Sequence, residues 1–337
     1  KPLLTASLKK KKIIATNNLY EVKKTKFIIV CIGTPITNNL NPSLKPFINF
    51  FKHLKPFLRK DHIIIIRSSI YPGICDKIYK LISNKCKNIS YCPERIVQGK
   101  SITELPKLSQ LVSGKNKKSI SESGKLFKKI CKKIIFTNVI EAELVKLFSN
   151  AYRYVNFSIA NQFYMICKSH DLNFEKIRNI MMDGYERNTN IPMSGFTAGP
   201  CLLKDSMQLS SFYSHNFSLG HTAMKINEGL PLFLINNLQK KIDISKKTIG
   251  ILGLAFKAET DDTRDSLAIK LLKILKTKKI NTLKSDEYYQ SQETVSKELL
   301  IKKSDIIIIA APHKAYKKLK INKKKILIDV WGLIDKK

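Results

Sequence analysis

Gly199-Pro200-Cys201-Leu202-Leu203-Lys204-Asp205 sets a thiol behind two turn-forming residues and ahead of an ammonium and a carboxylate. A cysteine becomes a nucleophile when a cationic neighbour or a helix N-terminus favours its thiolate, and Lys204 with a helix starting near Asp205 would supply both. A buried structural cysteine in a loop is the other reading of these seven residues. Lys146 and Asn150 stand four apart in a stretch, 141–170, that contains neither Gly nor Pro, so they share one face of a long helix. Spacing alone does not connect that face to Cys201.

The elements that must position these groups follow a strand, loop, helix rhythm at both ends of the chain. Phe27 to Gly33 and Ile63 to Ile66 are continuous apolar runs, as expected of strands buried on both faces of a parallel sheet. Ile89 to Tyr91 is a shorter candidate. The loops that follow them, Gly33-Thr34-Pro35, Ser68 to Gly73 and Pro93-Glu94-Arg95, fall where an open α/β sheet binds its ligand. The long helix comes next, with Leu144, Leu147, Phe148, Ala151 and Val155 at helical spacing to pack inward or against a second subunit. A further helix is predicted over 220–241. Strand periodicity returns at Thr248 to Phe256, then in Ile306 to Ala311 and Ile326 to Val330. The predicted architecture is α/β with two Rossmann-like, doubly wound domains joined by a central helical domain. Its divisions are 1–138, 139–238 and 239–337, with the first domain incomplete.

Composition narrows the function classes. Hydrophobic residues are 43% of the 337, enough for a globular core, and the longest apolar runs are strand-sized rather than membrane-spanning. The formal charge is +35, from 61 Lys and Arg against 26 Asp and Glu. Those lysines are spread through every segment without an aromatic-interleaved stripe, so neither a nucleic-acid partner nor a membrane partner is expected. Seven scattered cysteines form no CxxC pair and no Cys/His cluster with zinc spacing, which predicts reduced thiols, a cytoplasmic location and no metal.

Taken together, six stretches resemble the UDP-glucose/GDP-mannose dehydrogenase family over essentially the whole chain. They are Gly33-Thr34-Pro35, Ser68 to Gly73, Tyr91 to Ile96, Lys146 to Asn150 with Asn156 and Asn161, the cysteine heptapeptide, and Gly253 to Lys257 through Arg264 and Ser266. The resemblance implies an NAD-dependent, four-electron oxidation of a sugar-nucleotide C6 alcohol to a carboxylate, for surface polysaccharide synthesis. It implies that Cys201 captures the aldehyde and carries the thioester, and that Lys146 and Asn150 stabilise an oxyanion. Asp205 would orient water and Glu94 would serve as a base for hydrolysis. It further implies cofactor contacts from Thr34, Pro35, Ser69 and Arg264, and sugar-nucleotide contacts from Ile96, Phe196, Gly199 and Lys257. On the residues alone, Lys257 reads as solvent-facing and Arg264 as the ion-pair partner of Asp261 or Asp262.

The departures also carry expectations. No GxGxxG turn for a dinucleotide pyrophosphate occurs, and 1–20 resembles the segment leading into the third strand of the family's sheet, so the chain reads as N-terminally truncated. Ser69 stands for Thr, Gln162 for Glu, Pro200 for Gly, and Trp331 where many relatives carry Arg. The segment 91–100 resembles the branch acting on UDP-N-acetylhexosamines, particularly UDP-N-acetylmannosamine, whereas Cys201 to Asp205 resembles the UDP-glucose branch. A UDP-N-acetylhexosamine is the expected substrate, UDP-glucose the alternative, and a homodimer through the long helix the expected assembly. An inactive sugar-nucleotide-binding fragment is the alternative from another functional class.

Overall fold

Four isoleucines in a row make an interior strand in each of two sheets, and all eight are fully buried. β-Branched side chains covered on both faces are what the middle of a parallel sheet requires. The computed structural model of the chain describes residues 2–37, 39–197 and 199–334. Its strands are β1 (Phe27–Val30), β2 (Ile63–Ile66), β3 (Ile89–Tyr91), β4 (Gln110–Gly114), β5 (Ile134–Phe136), β6 (Ile249–Leu252), β7 (Thr282–Ser285), β8 (Ile306–Ile309) and β9 (Ile326–Asp329). The helices are α1 (Pro2–Lys9), α2 (Lys45–Leu54), α3 (Ile74–Ile82), α4 (Ser101–Glu104), α5 (Lys117–Lys128), α6 (Val139–Ser169), α7 (Phe174–Met182), α8 (Leu202–Phe212), α9 (Ser218–Gln239), α10 (Leu267–Thr277) and α11 (Lys297–Lys303).

The chain forms two units, 1–35 with 42–146 and 36–41 with 147–337, the division falling within α6. In the first, a sheet of order β1-β2-β3-β4-β5 is parallel except where β3 meets β4. β1 is shorter than its apolar run. It stops at Val30, paired with Ile66, because β2 stops there too and the chain then turns toward Pro35, which has no N–H to give a ladder. β4 is not expected from sequence, since Gln110, Ser113 and Gly114 interrupt any apolar pattern.

Two features of the first unit fix the loop after β2. Gly73 takes φ +87°, a left-handed conformation suited to glycine, and opens α3. The side chain of Glu143, buried in the first turns of α6, accepts hydrogen bonds from Gly73 N (2.7 Å) and Cys75 N (3.2 Å). Burial raises the Glu143 carboxyl above its ordinary range, against these two N–H donors.

In the second unit all strands are parallel, in the order β7-β6-β8-β9. Its core joins one face of the sheet to the helices through Ala160, Tyr164, Phe174, Leu230, Leu234 and Leu271. Within this unit α6 buries Leu147, Ala151 and Tyr154 while leaving Phe148, Tyr152, Ile159, Phe163 and Ile166 exposed. Phe148, expected to pack inward or against a second subunit, therefore lies on a solvent-facing stripe. No helix among the described residues is long and apolar enough to cross a membrane.

Candidate active site

α8 begins immediately after Cys201, whose residue occupies the N-cap position with its side chain exposed. The helix is anchored by Leu202, which packs with Tyr154 of α6 and Ala223 of α9. One turn in, the Asp205 N–H donates to the Cys201 carbonyl at 2.9 Å. The Asp205 side chain is completely buried, with both oxygens engaged. Asn150 Nδ2 donates to Oδ2 at 2.5 Å, and Lys204 Nζ lies 2.8 Å from Oδ1. A buried carboxylate needs such compensation for its lost hydration. The result is a fixed amide, ammonium and carboxylate cluster beneath an exposed thiol at a helix N-terminus, where the helix field favours a thiolate.

The loop entering α8 is held by polar contacts. Ser194 Oγ donates to the Val330 carbonyl at 2.7 Å, and Gly195 N donates to Asn161 Oδ1 at 2.8 Å. Asn161 in turn donates to Asn227 Oδ1 (2.8 Å), and Asn227 to the Tyr154 carbonyl (3.2 Å). Phe196 lies in the hydrophobic core, 2% exposed.

Past β6, the chain turns at Gly253 and brings Phe256 N to the Asp262 carbonyl at 3.0 Å. Lys257 on this loop is half-buried. Arg264 is exposed and ion-paired with Asp262 at 2.7 Å, the partnership its sequence neighbourhood suggested. Its guanidinium pKa is raised by the hydrogen bond and charge of Asp262 and, more weakly, by the Cys201 thiolate.

In the first unit, the parallel order β1-β2-β3 puts the three predicted loops on one edge. Thr34 Oγ1 donates to the Ser69 carbonyl, and Ser68 Oγ to the Ile32 carbonyl at 2.6 Å. Pro35 is exposed beside them. Glu94, half-buried after β3, accepts from the Ile96 N–H, while Glu104 accepts from Val97 N at 2.8 Å, so Ile96 sits in a loop bonded to two carboxylates. Burial pushes the Glu94 carboxyl up, and the charges of Lys146 and Arg67 pull it back. Arg67, which sequence reasoning passed over, donates to Gln110 Oε1 at 3.0 Å and lies over the Phe127 ring. Removing the Lys146 charge with Lys146→Met is therefore expected to raise the Glu94 carboxyl further. The check is a pH titration of its 13C-labelled side-chain resonance; an unchanged or lower midpoint would refute the coupling. Each unit thus carries part of the predicted set: Glu94, Lys146, Thr34, Pro35, Ser69 and Ile96 in the first, and Asn150, Cys201, Asp205, Phe196, Gly199, Lys257 and Arg264 in the second.

Comparison with known proteins adds an independent line. The chain matches the UDP-glucose/GDP-mannose dehydrogenase family profiles for its NAD binding domain over residues 1–134, its central domain over 140–229 and its UDP binding domain over 250–336. It is 30% identical to the UDP-N-acetyl-D-mannosamine dehydrogenase of Pyrococcus horikoshii, an alignment covering 96% of this chain and 81% of that protein. The corresponding enzyme of Methanocaldococcus jannaschii is also 30% identical, over 88% of this chain and 70% of that one. A solved structure of UDP-D-ManNAc dehydrogenase from P. horikoshii superposes with a TM-score of 0.90 at 28% identity, covering 99% of this chain and 84% of that one. A UDP-glucose dehydrogenase from Pyrobaculum islandicum shares the fold with a TM-score of 0.87 at 19% identity, over 97% of this chain and 85% of that one.

Proposed function

Because the chain belongs to the UDP-glucose/GDP-mannose dehydrogenase family of NAD-dependent nucleotide-sugar oxidoreductases, we propose that it oxidises the C6 alcohol of a UDP-N-acetylhexosamine to the uronate. The observation that carries the reading is the buried Asn150, Lys204 and Asp205 cluster one turn below the exposed Cys201. An N-acetylated sugar is favoured over glucose by the P. horikoshii and M. jannaschii relatives, both UDP-N-acetyl-D-mannosamine dehydrogenases, and by the segment 91–100.

NAD, when bound, accepts a hydride from C6 at each of the two oxidations. The polar edge formed by Thr34 and Ser69 suits part of a dinucleotide, and Thr34, Pro35, Ser69 and Arg264 are the residues proposed to hold it; the 337 residues include no GxGxxG turn for its pyrophosphate. The Cys201 thiolate adds to the aldehyde carbon, forming a C–S bond and an oxyanion that the Lys146 ammonium and Asn150 amide stabilise. Loss of the second hydride leaves the thioester. Water then adds to its carbonyl carbon, Asp205 orienting it and Glu94 taking its proton, and the C–S bond breaks to return the thiolate and the carboxylate product. Ile96, Phe196, Gly199 and Lys257 are the proposed sugar-nucleotide contacts.

Three further parts belong to this proposal. The exposed stripe on α6 supports a homodimer through that helix. Seven cysteines without a disulfide support a cytoplasmic location. The three profile matches support domains at 1–138, 139–238 and 239–337.

The test is stoichiometry. With UDP-N-acetylmannosamine, UDP-N-acetylglucosamine and UDP-glucose supplied in turn, about two NADH should form per uronate, with the highest kcat/KM for an N-acetylated sugar. One NADH per uronate would refute the two-step chemistry. UDP-sugar binding without turnover would instead support a nucleotide-binding module.

A further inference from the structure

We propose that Phe256 and Trp331 are positioning residues for Cys201, two rings from the second α/β sheet that fix both ends of the loop carrying the thiol; this rests on Cys201 being the nucleophile. The loop from Ser194 to Cys201 has a glycine near each end. Gly195 has φ +153° and Gly199 φ +102°, both conformations that a side chain would strain. Each glycine also lies against an aromatic ring. A Cβ at Gly195 would fall 2.4 Å from Trp331 Cδ2 and Cε3, and one at Gly199 would fall 2.4 Å from Phe256 Cδ2. At both positions the missing side chain is what lets the ring rest on the main chain.

The rings are themselves fixed. Trp331 follows β9, and its indole Nε1–H donates to the Ala310 carbonyl, at the end of β8, at 3.0 Å. Its own N–H donates to Asp329 Oδ1 at 3.1 Å. Phe256 follows β6 on the loop tied to Asp262. Each contact is doubled by a hydrogen bond from the loop, Ser194 Oγ to the Val330 carbonyl and Gly199 N to the Asp265 carbonyl at 3.4 Å. Pro200 then restricts the last step before the thiol.

The contacts at the two ends have a chemical consequence. Cys201 is exposed, so access does not limit its reactivity; its place at the start of α8 and in the field of Arg264 does. A loop released from either ring lets the thiol leave both positive fields and lose thiolate character. The rings stand on loops at the C-terminal edge of the sheet within 250–336, the segment matching a UDP binding domain, so the thiol's position depends on the same loops.

Alkylation of the full chain by iodoacetamide tests this, because the exposed Cys31 provides an internal reference and the other five cysteines are buried. In Phe256→Ala and Trp331→Ala, the Cys201-to-Cys31 rate ratio at pH 7 should fall about fivefold and its pH profile should move to higher pH. Phe256→Leu and Trp331→Phe should recover most of the ratio. Folded alanine variants with the parent ratio and profile would overturn the proposal. Should the alanine variants not fold, Trp331 serves as its own probe, being the only tryptophan. In a Cys31→Ser background, alkylation of Cys201 should shift its emission, and an unchanged spectrum would equally overturn the proposal. Failure of the underlying reading looks different: full NADH formation after complete alkylation of Cys201.

Discussion

Replacing Cys201 with serine is expected to reduce NADH formation by on the order of a thousandfold or more while leaving UDP-sugar binding intact. The hydroxyl would sit in the same exposed position at the head of α8, so the loss is chemical. A helix terminus favours the anion of a thiol placed there. An alcohol is far too weak an acid for that field and needs a base to take its proton. Asp205 is the nearest carboxylate along the chain, but its two oxygens are already engaged by Asn150 and Lys204. Calorimetry with a UDP-sugar should give the parent affinity, and stopped-flow absorbance should show the lost turnover. A serine variant within tenfold of the parent would remove Cys201 from the mechanism.

The second large effect is on stability. Asp286, just past β7, is completely buried and accepts from Leu254 N (2.5 Å), Ala255 N (3.1 Å), Tyr288 N (2.8 Å), Tyr289 N (3.0 Å) and His313 Nε2 (3.2 Å). Glu259 N donates to His313 Nδ1 at 3.0 Å, which assigns the ring proton to Nε2. Burial opposes the Asp286 charge, yet the hydrogen bonds from His313 and the backbone prevail and hold its pKa at about 2. Asp286→Ala would strand these donors in the interior and is expected to cost about 3–5 kcal/mol, read from urea melts at pH 7. A loss below about 1 kcal/mol would contradict it.

The same carboxylate sets a pH signature. Its folded pKa lies below the unfolded value, so its contribution is present above about pH 4 and is lost as pH falls through about 2. A depression of this size amounts to about 2 kcal/mol. The parent should lose this increment between about pH 4 and 2, and Asp286→Ala should lack it. Equal acid sensitivity in the two proteins would assign the effect elsewhere.

What could be read from sequence follows physical lines. Ile63 to Ile66 and Ile306 to Ile309 announce interior strands because burial on both faces leaves no polar alternation. β4 escapes because its residues are held by partners rather than pattern: Ser113 Oγ donates to the Tyr91 carbonyl, and Gly114 pairs with Ser90. The adjacency of Cys201, Lys204 and Asp205 was legible, and the start of α8 with it. Spacing put Asn150 on a helix face with Lys146, but its link to the cysteine loop came only through a family likeness, because no local rule connects it to Asp205. Trp331 stood out as a departure, but the approach of its ring to Gly195 depends on where β9 delivers it.

The Glu143 carboxylate, bonded to Gly73 and Cys75, has a consequence for where an anion can dock. Helix N-termini at the C-terminal edge of a parallel sheet commonly receive phosphate through their first N–H groups. α3 has such an end, but a side chain from within the protein already uses those donors. A phosphate arriving at this edge would find those two N–H groups already bound to an acidic side chain of the protein itself.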